Sequence, residues 1–382
     1  MARQEWTIFW LVGENSGDLH ASLVMRCLNT ALPGLRHVGI GGSRMQAEGL
    51  QTLFPFARFN VMGFSDVLKD ALFFLKVERQ LKKFFAQEQP DLAILVDYPG
   101  LNLRVANIAD NQRIPVLYYI CPQFWAWKHN RVFKLRASVR QVACILPFEQ
   151  EMLDIHNVSA TYVGHPIAEE VSFELDRGQF TAFYGLDPAK QWLGFLPGSR
   201  NGEVRRMLPV MLEAASGFDP GKYELLFSKA LTISHPLFME ILAAAGLPHA
   251  RIIDGYRYEM MKYCEFLIST SGTATLEAAY IGTPLLIGYK TSPLSYLIGR
   301  RVVRIQRIGL PNIVLDQDLL PELIQDEFNA ANIQSRAQSI LTDPARMNSI
   351  RQELRKLRSI LGGKQTSLEM LKLVRGLLKI DA

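Results

Sequence analysis

The sequence predicts an α/β protein with two Rossmann-like domains facing a cleft and a helical C-terminus. Three observations support this class: short apolar runs recur along the chain, helical segments separate them, and the series of runs pauses once near the middle. Such alternation is typical of βαβ units, which build parallel sheets. The length of 382 residues fits two domains of roughly 100–200 residues each.

The predicted strands form two series of short, mostly apolar runs bounded by Gly, Pro or polar residues. The first series covers residues 7–12, 37–41, 92–96, 116–121, 142–146 and 161–163. The second series covers residues 192–196, 223–227, 251–253, 266–269 and 284–288. Helical periodicity fills the intervals.

The domain boundary is predicted in the charged stretch between Pro166 and Trp192, where no strand pattern occurs. After Leu315 the pattern becomes helical throughout. The expected domains are residues 1–168, residues 169–345 and a helical segment at residues 346–382. The last segment is expected either to cross back to the first domain or to exchange between the subunits of a homodimer.

The composition is that of a globular protein with a real core, at 48% hydrophobic and 21% charged residues. A net charge of +5 is too small to indicate nucleic acid, although it suits an anionic substrate or a membrane surface. The cysteines are scattered without metal-ligand spacing, so we expect buried thiols in a reducing cytoplasm. They are Cys27, Cys121, Cys144 and Cys264. Neither a secretory signal nor a transmembrane helix is expected.

Asp97 is the first candidate for a catalytic residue. It ends the apolar run at residues 92–96, and Pro99 and Gly100 then break the strand. Ligands of open α/β sheets bind beyond the carboxyl ends of the strands, and burial there can adjust a carboxyl group to act as a general base. The alternative is that Asp97 only caps the following helix.

A first loop suited to anions spans residues 13–18, after the first predicted strand. It contains Glu14 and Ser16 between two glycines, which permit close approach of a ligand to the backbone and to the start of a helix. It lacks the GxGxxG pattern of nicotinamide cofactors, and an ordinary tight turn is the alternative.

Two loops in the second half have the composition of a diphosphate and ribose pocket. Gly198, Ser199 and Arg200 stand between a strand and a helix, where backbone N–H groups and a guanidinium suit phosphate oxygens. Gly272-Thr273 begins another helix, and Glu277, about one turn inside it, could accept hydrogen bonds from a ribose diol. The alternative in both loops is ordinary helix capping.

Several other features remain open from the residues alone. Trp125 and Trp127 either line a cleft for sugar or acyl groups or simply pack. Residues 62–75 form either a membrane-binding surface, flanked by lysines, or a buried helix. The basic set Arg300, Arg301, Arg304 and Arg307 either attracts an anionic lipid or nucleotide or is a solvated face.

No metal site is expected. The sequence has no HExxH motif, and the pair Asp316 and Asp318 lies between helical segments rather than after a strand. A Walker A motif and a GxSxG elbow are also absent from the sequence.

Taken in order, a set of motifs resembles the lipid-A-disaccharide synthase family over nearly the whole chain. The motifs are Gly13-Glu14-Asn15-Ser16-Gly17-Asp18, Arg44-Met45-Gln46-Ala47-Glu48-Gly49, Trp125-Ala126-Trp127, Leu146-Pro147-Phe148-Glu149, Val163-Gly164-His165, Leu196-Pro197-Gly198-Ser199-Arg200, Ser271-Gly272-Thr273-Ala274-Thr275-Leu276-Glu277 and Leu310-Pro311-Asn312. The family commonly has Thr where Asn15 stands and Ser where Cys121 stands. These departures remove neither a carboxylate nor the arginine.

The resemblance implies an inverting, metal-independent glycosyltransferase (GT-B type, family 19) without a cofactor. Its donor would be UDP-2,3-diacylglucosamine and its acceptor 2,3-diacylglucosamine 1-phosphate (lipid X). The products would be the β-1,6-linked lipid A disaccharide 1-phosphate and UDP. Such an enzyme would act as a peripheral protein on the cytoplasmic face of a Gram-negative inner membrane, which favours the membrane interpretation of residues 62–75.

In this scheme the first domain binds the acceptor and the second binds the UDP-sugar. Asp97 would take the proton from the acceptor 6-hydroxyl, and Arg200 with the helix start at Gly272-Thr273 would stabilise the departing UDP. Glu277 would hold the ribose. The remaining expected substrate-binding residues are Glu14, Ser16, Gly198, Ser199 and Asn312.

Two rival functions remain open at this point. A UDP-sugar epimerase of the same architecture would act on the nucleotide sugar without an acceptor. A non-catalytic nucleotide- or lipid-binding protein would bind UDP or lipid without releasing UDP.

Overall fold

The computed structural model describes residues 6–60, 67–292, 296 and 306–380. It divides the chain into two compact units, each with its own hydrophobic core. The first unit comprises Met1–Pro166 and Gly363–Ala382, and the second comprises Ile167–Gly362. The sequence predicts the first domain boundary after residue 168, and the structure places it after residue 166. In the structure, residues 363–382 belong to the first unit.

The first unit is built on a seven-stranded sheet in the order β3-β2-β1-β4-β5-β6-β7, with every pair parallel. The strands are β1 (Thr7–Val12), β2 (Arg36–Ile40), β3 (Gln51–Thr52), β4 (Leu92–Val96), β5 (Val116–Tyr119), β6 (Gln141–Cys144) and β7 (Ala160–Tyr162). The helices are α1 (Asn15–Ala31), α2 (Ser43–Ala47), α3 (Ala57–Asn60), α4 (Val67–Glu88), α5 (Pro99–Asn111), α6 (Arg131–Ser138) and α7 (Pro147–Asp154).

The second unit is built on a six-stranded parallel sheet in the order β10-β9-β8-β11-β12-β13. Its strands are β8 (Gln191–Leu196), β9 (Tyr223–Ser228), β10 (Ala250–Ile253), β11 (Phe266–Thr270), β12 (Leu285–Tyr289) and β13 (Glu322–Ile324). Its helices are α8 (Ile167–Glu170), α9 (Arg177–Tyr184), α10 (Asn201–Ala215), α11 (His235–Ala245), α12 (Arg257–Tyr263), α13 (Thr273–Ile281), α14 (Leu310–Leu315), a 3₁₀ turn (Gln325–Glu327), α15 (Ala330–Leu341) and α16 (Pro344–Leu361).

The central strands are apolar because helices cover both faces of each sheet. Every residue of β4 is buried, as is every residue of β8 after Gln191. Strands buried on both faces have continuous apolar sequences instead of alternating ones. The predicted fold class is confirmed in this respect: the chain forms two parallel-sheet α/β units with a helical C-terminus.

The C-terminal region differs in detail from the prediction of continuous helix after Leu315. The three residues of β13 extend the second sheet at its edge, pairing with β12. A strand this short shows no periodicity in sequence, so pattern analysis misses it. Helix α16 packs within the second unit, whereas the last helix, α17 (Thr366–Leu378), packs on α1 of the first.

Candidate functional sites

Each sheet has one point where the strand order reverses, and the candidate residues cluster there. In the first sheet the reversal lies between β1 and β4, whose carboxyl ends lead into Glu14 and Asp97. In the second it lies between β8 and β11, whose carboxyl ends lead into the loops of Arg200 and Gly272. Open α/β sheets bind their ligands at such switch points.

The backbone around Asp97 is held in an unusual conformation. Asp97 and Tyr98 are both left-handed, with φ of 46° and 47°. The amide of Asp97 donates to the Tyr119 carbonyl at 2.9 Å. Its carbonyl accepts bonds from the Tyr118 hydroxyl at 2.6 Å and the Asn102 amide at 2.7 Å. Such strain persists only where the surroundings enforce it, and it often marks functional sites.

Packing fixes the turn further. A Cβ atom added to Gly13 would lie 2.4 Å from the ring of Tyr98, so glycine allows the loop after β1 to rest against that ring. Asn102 is fully buried and also donates to the carbonyl of Val96 at 3.0 Å. Sequence reasoning gave Asn102 no role, because its partners lie on strands rather than in its own helix.

Burial raises the pKa of Asp97 to about 6, and the nearby charge of Glu14 adds to that rise. The Tyr98 amide, His20 and Arg131 act in the opposite direction. A carboxyl group with this pKa is mostly ionised at neutral pH and still binds a proton far better than an ordinary aspartate. These are the properties of a general base.

A second buried carboxyl, Glu149, lies near this site. It accepts hydrogen bonds from the indole of Trp125 and from the amide of Leu146, both at 3.2 Å. Burial raises its pKa to about 7, and the charge of Asp97 contributes to that rise. Trp125 also packs edge-on against the ring of Phe148. The packing interpretation therefore applies to Trp125, whereas Trp127 is partly exposed.

The loop after β8 carries Arg200 into solvent. Its side chain is 65% exposed and pairs with Glu203 at 3.2 Å. The other oxygen of Glu203 accepts a bond from the Ser199 amide, also at 3.2 Å. Gly198 has φ of 114°, and a Cβ atom there would lie 2.7 Å from the Glu203 carboxylate, so only glycine leaves room for it. A carboxylate thus occupies the donors that the sequence assigned to phosphate.

The loop after β11 presents an open helix start. Gly272 has φ of 153°, and a Cβ atom there would meet nothing within 4 Å. Gly272 and Thr273 are exposed. The N-terminus of α13 therefore offers positive charge toward free space, which is suited to an anion.

Glu277 lies on α13 but is not positioned by that helix alone. It is buried, and its carboxylate accepts bonds from the Arg257 guanidinium at 2.7 Å and the Tyr258 hydroxyl at 3.3 Å. Desolvation acts to lower the pKa of Arg257, but the charges of Glu277 and Tyr258 raise it overall. Sequence reasoning did not identify Arg257, because it comes from α12 and no local pattern links it to Glu277.

Asn312 lies on α14 and is buried, and its side-chain amide bonds to the chain that leads into β13. It donates to the Leu320 carbonyl and to the Glu322 carboxylate, both at 2.8 Å, and accepts from the Leu320 amide at 3.0 Å. It fixes the chain between α14 and β13. Glu14 and Ser16 are half-buried at the start of α1, beside the turn that holds Asp97.

Arg307 pairs with both Asp316 and Asp318, so this acidic pair holds a guanidinium. The other three members of the basic set, Arg300, Arg301 and Arg304, lie outside the described residues. Within the described ranges, no group of three or more His, Cys, Asp or Glu side chains is placed to hold a metal ion.

Two parallel α/β units, each with polar loops at its switch point, make this a protein of GT-B-like fold. The S. aureus MnaA–UDP co-structure has a TM-score of 0.68 at 11% identity and covers 98% of each chain. A glycosyltransferase from Rickettsia africae has a TM-score of 0.56 at 12% identity, over 99% of this chain and 100% of its own. At these identities the likeness concerns the fold alone. The chain matches the lipid-A-disaccharide synthetase family model over residues 8–374 and belongs to that family.

Curated relatives are similar along nearly the whole chain. The lipid-A-disaccharide synthase of Trichlorobacter lovleyi is 39% identical and that of Geobacter metallireducens 38% identical, each covering 92% of this chain and 92% of its own. That of Nitrosococcus oceani is 37% identical over 92% of this chain and 91% of its own.

Proposed function

We propose that this protein is an inverting glycosyltransferase that forms the lipid A disaccharide. It joins UDP-2,3-diacylglucosamine to lipid X and releases UDP and the β-1,6-linked disaccharide 1-phosphate. The observation that supports the chemistry best is Asp97, a desolvated carboxyl at the carboxyl end of a central strand. The family match supports the choice of substrates.

In the proposed mechanism Asp97 accepts the proton of the acceptor 6-hydroxyl while that oxygen attacks C1 of the donor sugar. The bond from C1 to the UDP oxygen breaks in the same step, so the anomeric centre inverts. Glu14, half-buried beside Asp97, and Ser16 are proposed to orient the acceptor hydroxyl. Positioning of this kind lowers the entropy cost of the displacement.

The second unit is proposed to bind UDP. Arg200 and the N–H groups at Gly272-Thr273 would face the diphosphate, whose negative charge grows as the sugar departs. The loop at Gly198 and Ser199 would receive phosphate oxygens once Glu203 moves aside. Glu277, oriented by Arg257, would accept a ribose hydroxyl. Asn312 would act indirectly, by fixing the neighbouring loop.

The pH dependence of the reaction should reflect the pKa of Asp97. A base works only when ionised, and its pKa is raised to about 6. We therefore expect kcat/KM to be level at neutral pH and to fall below about pH 6, approaching tenfold per pH unit. A pH–rate profile in saturating donor measures this limb. A fall that begins only near pH 4 would mean that the base is a solvent-exposed carboxyl group with an ordinary pKa, and not the buried Asp97.

The exposed face of α4 is proposed to bind the inner membrane from the cytoplasmic side. Leu72 and Leu75 are 70% and 59% exposed, beside the exposed Lys76, whereas Phe73 and Phe74 pack on the buried Phe59. The described residues of α4 thus have a packed face and an exposed apolar face, and the exposed face supports the membrane proposal. Residues 61–66 lie outside the described part of the chain. Within that part, no helix is long and apolar enough to span a membrane.

Leu72→Glu should weaken binding to anionic lipid vesicles by roughly tenfold or more, because burying one leucine side chain contributes about 1.5–3 kcal/mol. Leu368→Glu is the matched control, since Leu368 is an exposed leucine on α17. Vesicle co-sedimentation measures both variants. Equal binding of the two would exclude this face of α4 as the membrane contact.

The proposed function is tested by measuring UDP release from UDP-2,3-diacylglucosamine, with and without lipid X, in detergent and a chelator. Release that depends on lipid X and yields a disaccharide phosphate is the expected result. Conversion of the nucleotide sugar without acceptor would indicate an epimerase, an activity that here has only the fold likeness in its favour. UDP binding without any turnover would indicate a binding protein.

A further inference from the structure

Two cations lie against one aromatic ring in the first unit. The Lys128 ammonium and the Arg131 guanidinium carbon are each 4.5 Å from the centre of the Trp127 ring. Trp127 is 37% exposed, and the two cations reach it from the loop before α6 and from the first turn of that helix. The face of an indole ring attracts cations, so this contact holds two positive charges at an exposed site.

Several arginines of the same unit have a carboxylate counter-ion, and within the described residues these two cations have none. Arg26, Arg36 and Arg104 each form an ion pair with a glutamate. Neither Lys128 nor Arg131 has a carboxylate within ion-pair distance in the described part of the chain. Gathering like charges without a counter-ion is unfavourable, and an anion bound there would relieve the repulsion.

The same cluster is electrostatically linked to the candidate base. Arg131 is half-buried, and desolvation lowers its pKa while the charges of Tyr118 and Asp97 raise it. In return the charge of Arg131 lowers the pKa of Asp97. The guanidinium therefore lies within electrostatic range of the group that is proposed to activate the acceptor hydroxyl.

We propose that Arg131 and Lys128, supported on Trp127, bind the phosphate monoester of the acceptor sugar. This inference rests on the proposed function, since it takes the acceptor to be a sugar 1-phosphate. A hexose whose 6-hydroxyl reaches Asp97 carries its 1-phosphate on the other side of the ring, so a cationic group is needed about one sugar away from the base. The planar guanidinium of Arg131 suits two phosphate oxygens at once, and the Lys128 ammonium adds a point charge.

The test compares two acceptors, 2,3-diacylglucosamine 1-phosphate and the same diacylglucosamine without its phosphate. Arg131→Gln should lower kcat/KM for the phosphorylated acceptor by roughly 10- to 100-fold, the usual range for a charge-assisted hydrogen bond. It should change kcat/KM for the dephosphorylated acceptor by only a few-fold. Lys128→Gln should show the same selectivity, and Arg131→Lys should restore part of the loss.

Arg136→Gln is the matched control, because Arg136 lies on the same helix with its guanidinium over another exposed ring, that of Phe133, at 5.6 Å. It should affect neither acceptor. Equal losses of Arg131→Gln with both acceptors would overturn the inference, since the arginine would then act only through Asp97 or the fold. A wild-type protein that forms no disaccharide would instead overturn the proposed function.

A second experiment tests whether the ligand of Arg131 and Lys128 is the acceptor phosphate or a phospholipid headgroup. Binding of the wild type and Arg131→Gln to phosphatidylcholine vesicles, with and without phosphatidylglycerol, should be the same for both proteins. If the variant loses binding to anionic vesicles but still distinguishes the two acceptors as the wild type does, the cluster binds headgroups and the inference is wrong.

Discussion

Asp97→Asn should lower turnover by roughly 10²–10⁴-fold, the usual contribution of a general base, while the affinity for UDP stays unchanged. Asparagine keeps the size of the side chain but cannot accept the proton of the acceptor hydroxyl. The backbone of Asp97 carries the hydrogen bonds to Tyr118, Asn102 and Tyr119, so the turn should survive the substitution. Single-turnover kinetics and UDP titration measure the two quantities separately.

At neutral pH the variant should be at least as stable as the wild type. Burial raises the pKa of Asp97 to about 6 in the folded protein, above the usual range of an aspartate in an unfolded chain, so the folded state binds the proton more tightly. Its stabilising contribution is present below about pH 4 and is lost as the pH rises through 6, so at neutral pH the ionised carboxyl opposes folding. Asp110→Asn, an exposed position on α5, is the control. Near-normal turnover of Asp97→Asn would exclude Asp97 as the base.

Arg200→Ala should weaken UDP binding by roughly 10- to 100-fold, the cost of losing a charge-assisted hydrogen bond to phosphate. The Arg200 side chain is largely exposed, and an exposed ion pair such as that with Glu203 contributes little to stability. The melting temperature should therefore not change. Isothermal titration with UDP measures the effect directly.

Arg205→Ala provides the comparison for this second prediction. Arg205 lies on α10, the helix that follows Arg200, and is exposed, and the two variants change the net charge equally. If both variants bind UDP as the wild type does, the diphosphate does not bind at the loop after β8. If both lose affinity equally, the effect is one of overall charge rather than of a contact with Arg200.

The sequence predicts the strands that carry the site because each is a buried apolar run with turn residues at its ends. The two edge strands β3 and β13 were not predicted. They are only two and three residues long, which is too short to show a hydrophobic periodicity. Asp97 could be proposed because its position depends only on the strand before it.

Residues that act through distant partners could not be predicted in the same way. Arg257 meets Glu277 across two helices, and Glu149 reaches Trp125 across 24 positions of sequence. Each has the local sequence of an ordinary helical residue, and only the packing of the sheet brings the pairs together. Glu149 does occur within one of the motifs that carry the family resemblance, which was the one available signal.

The placement of α17 makes the second unit an insertion within the first. Met370, Val374 and Leu378 are buried in a helix that packs on α1, near the opposite end of the sequence. During synthesis on the ribosome, the second unit has all of its residues once Gly362 has emerged. The first unit must wait for its final helix, with part of α1 uncovered until then. The order of domain completion is therefore the reverse of the order in which the two sheets are translated.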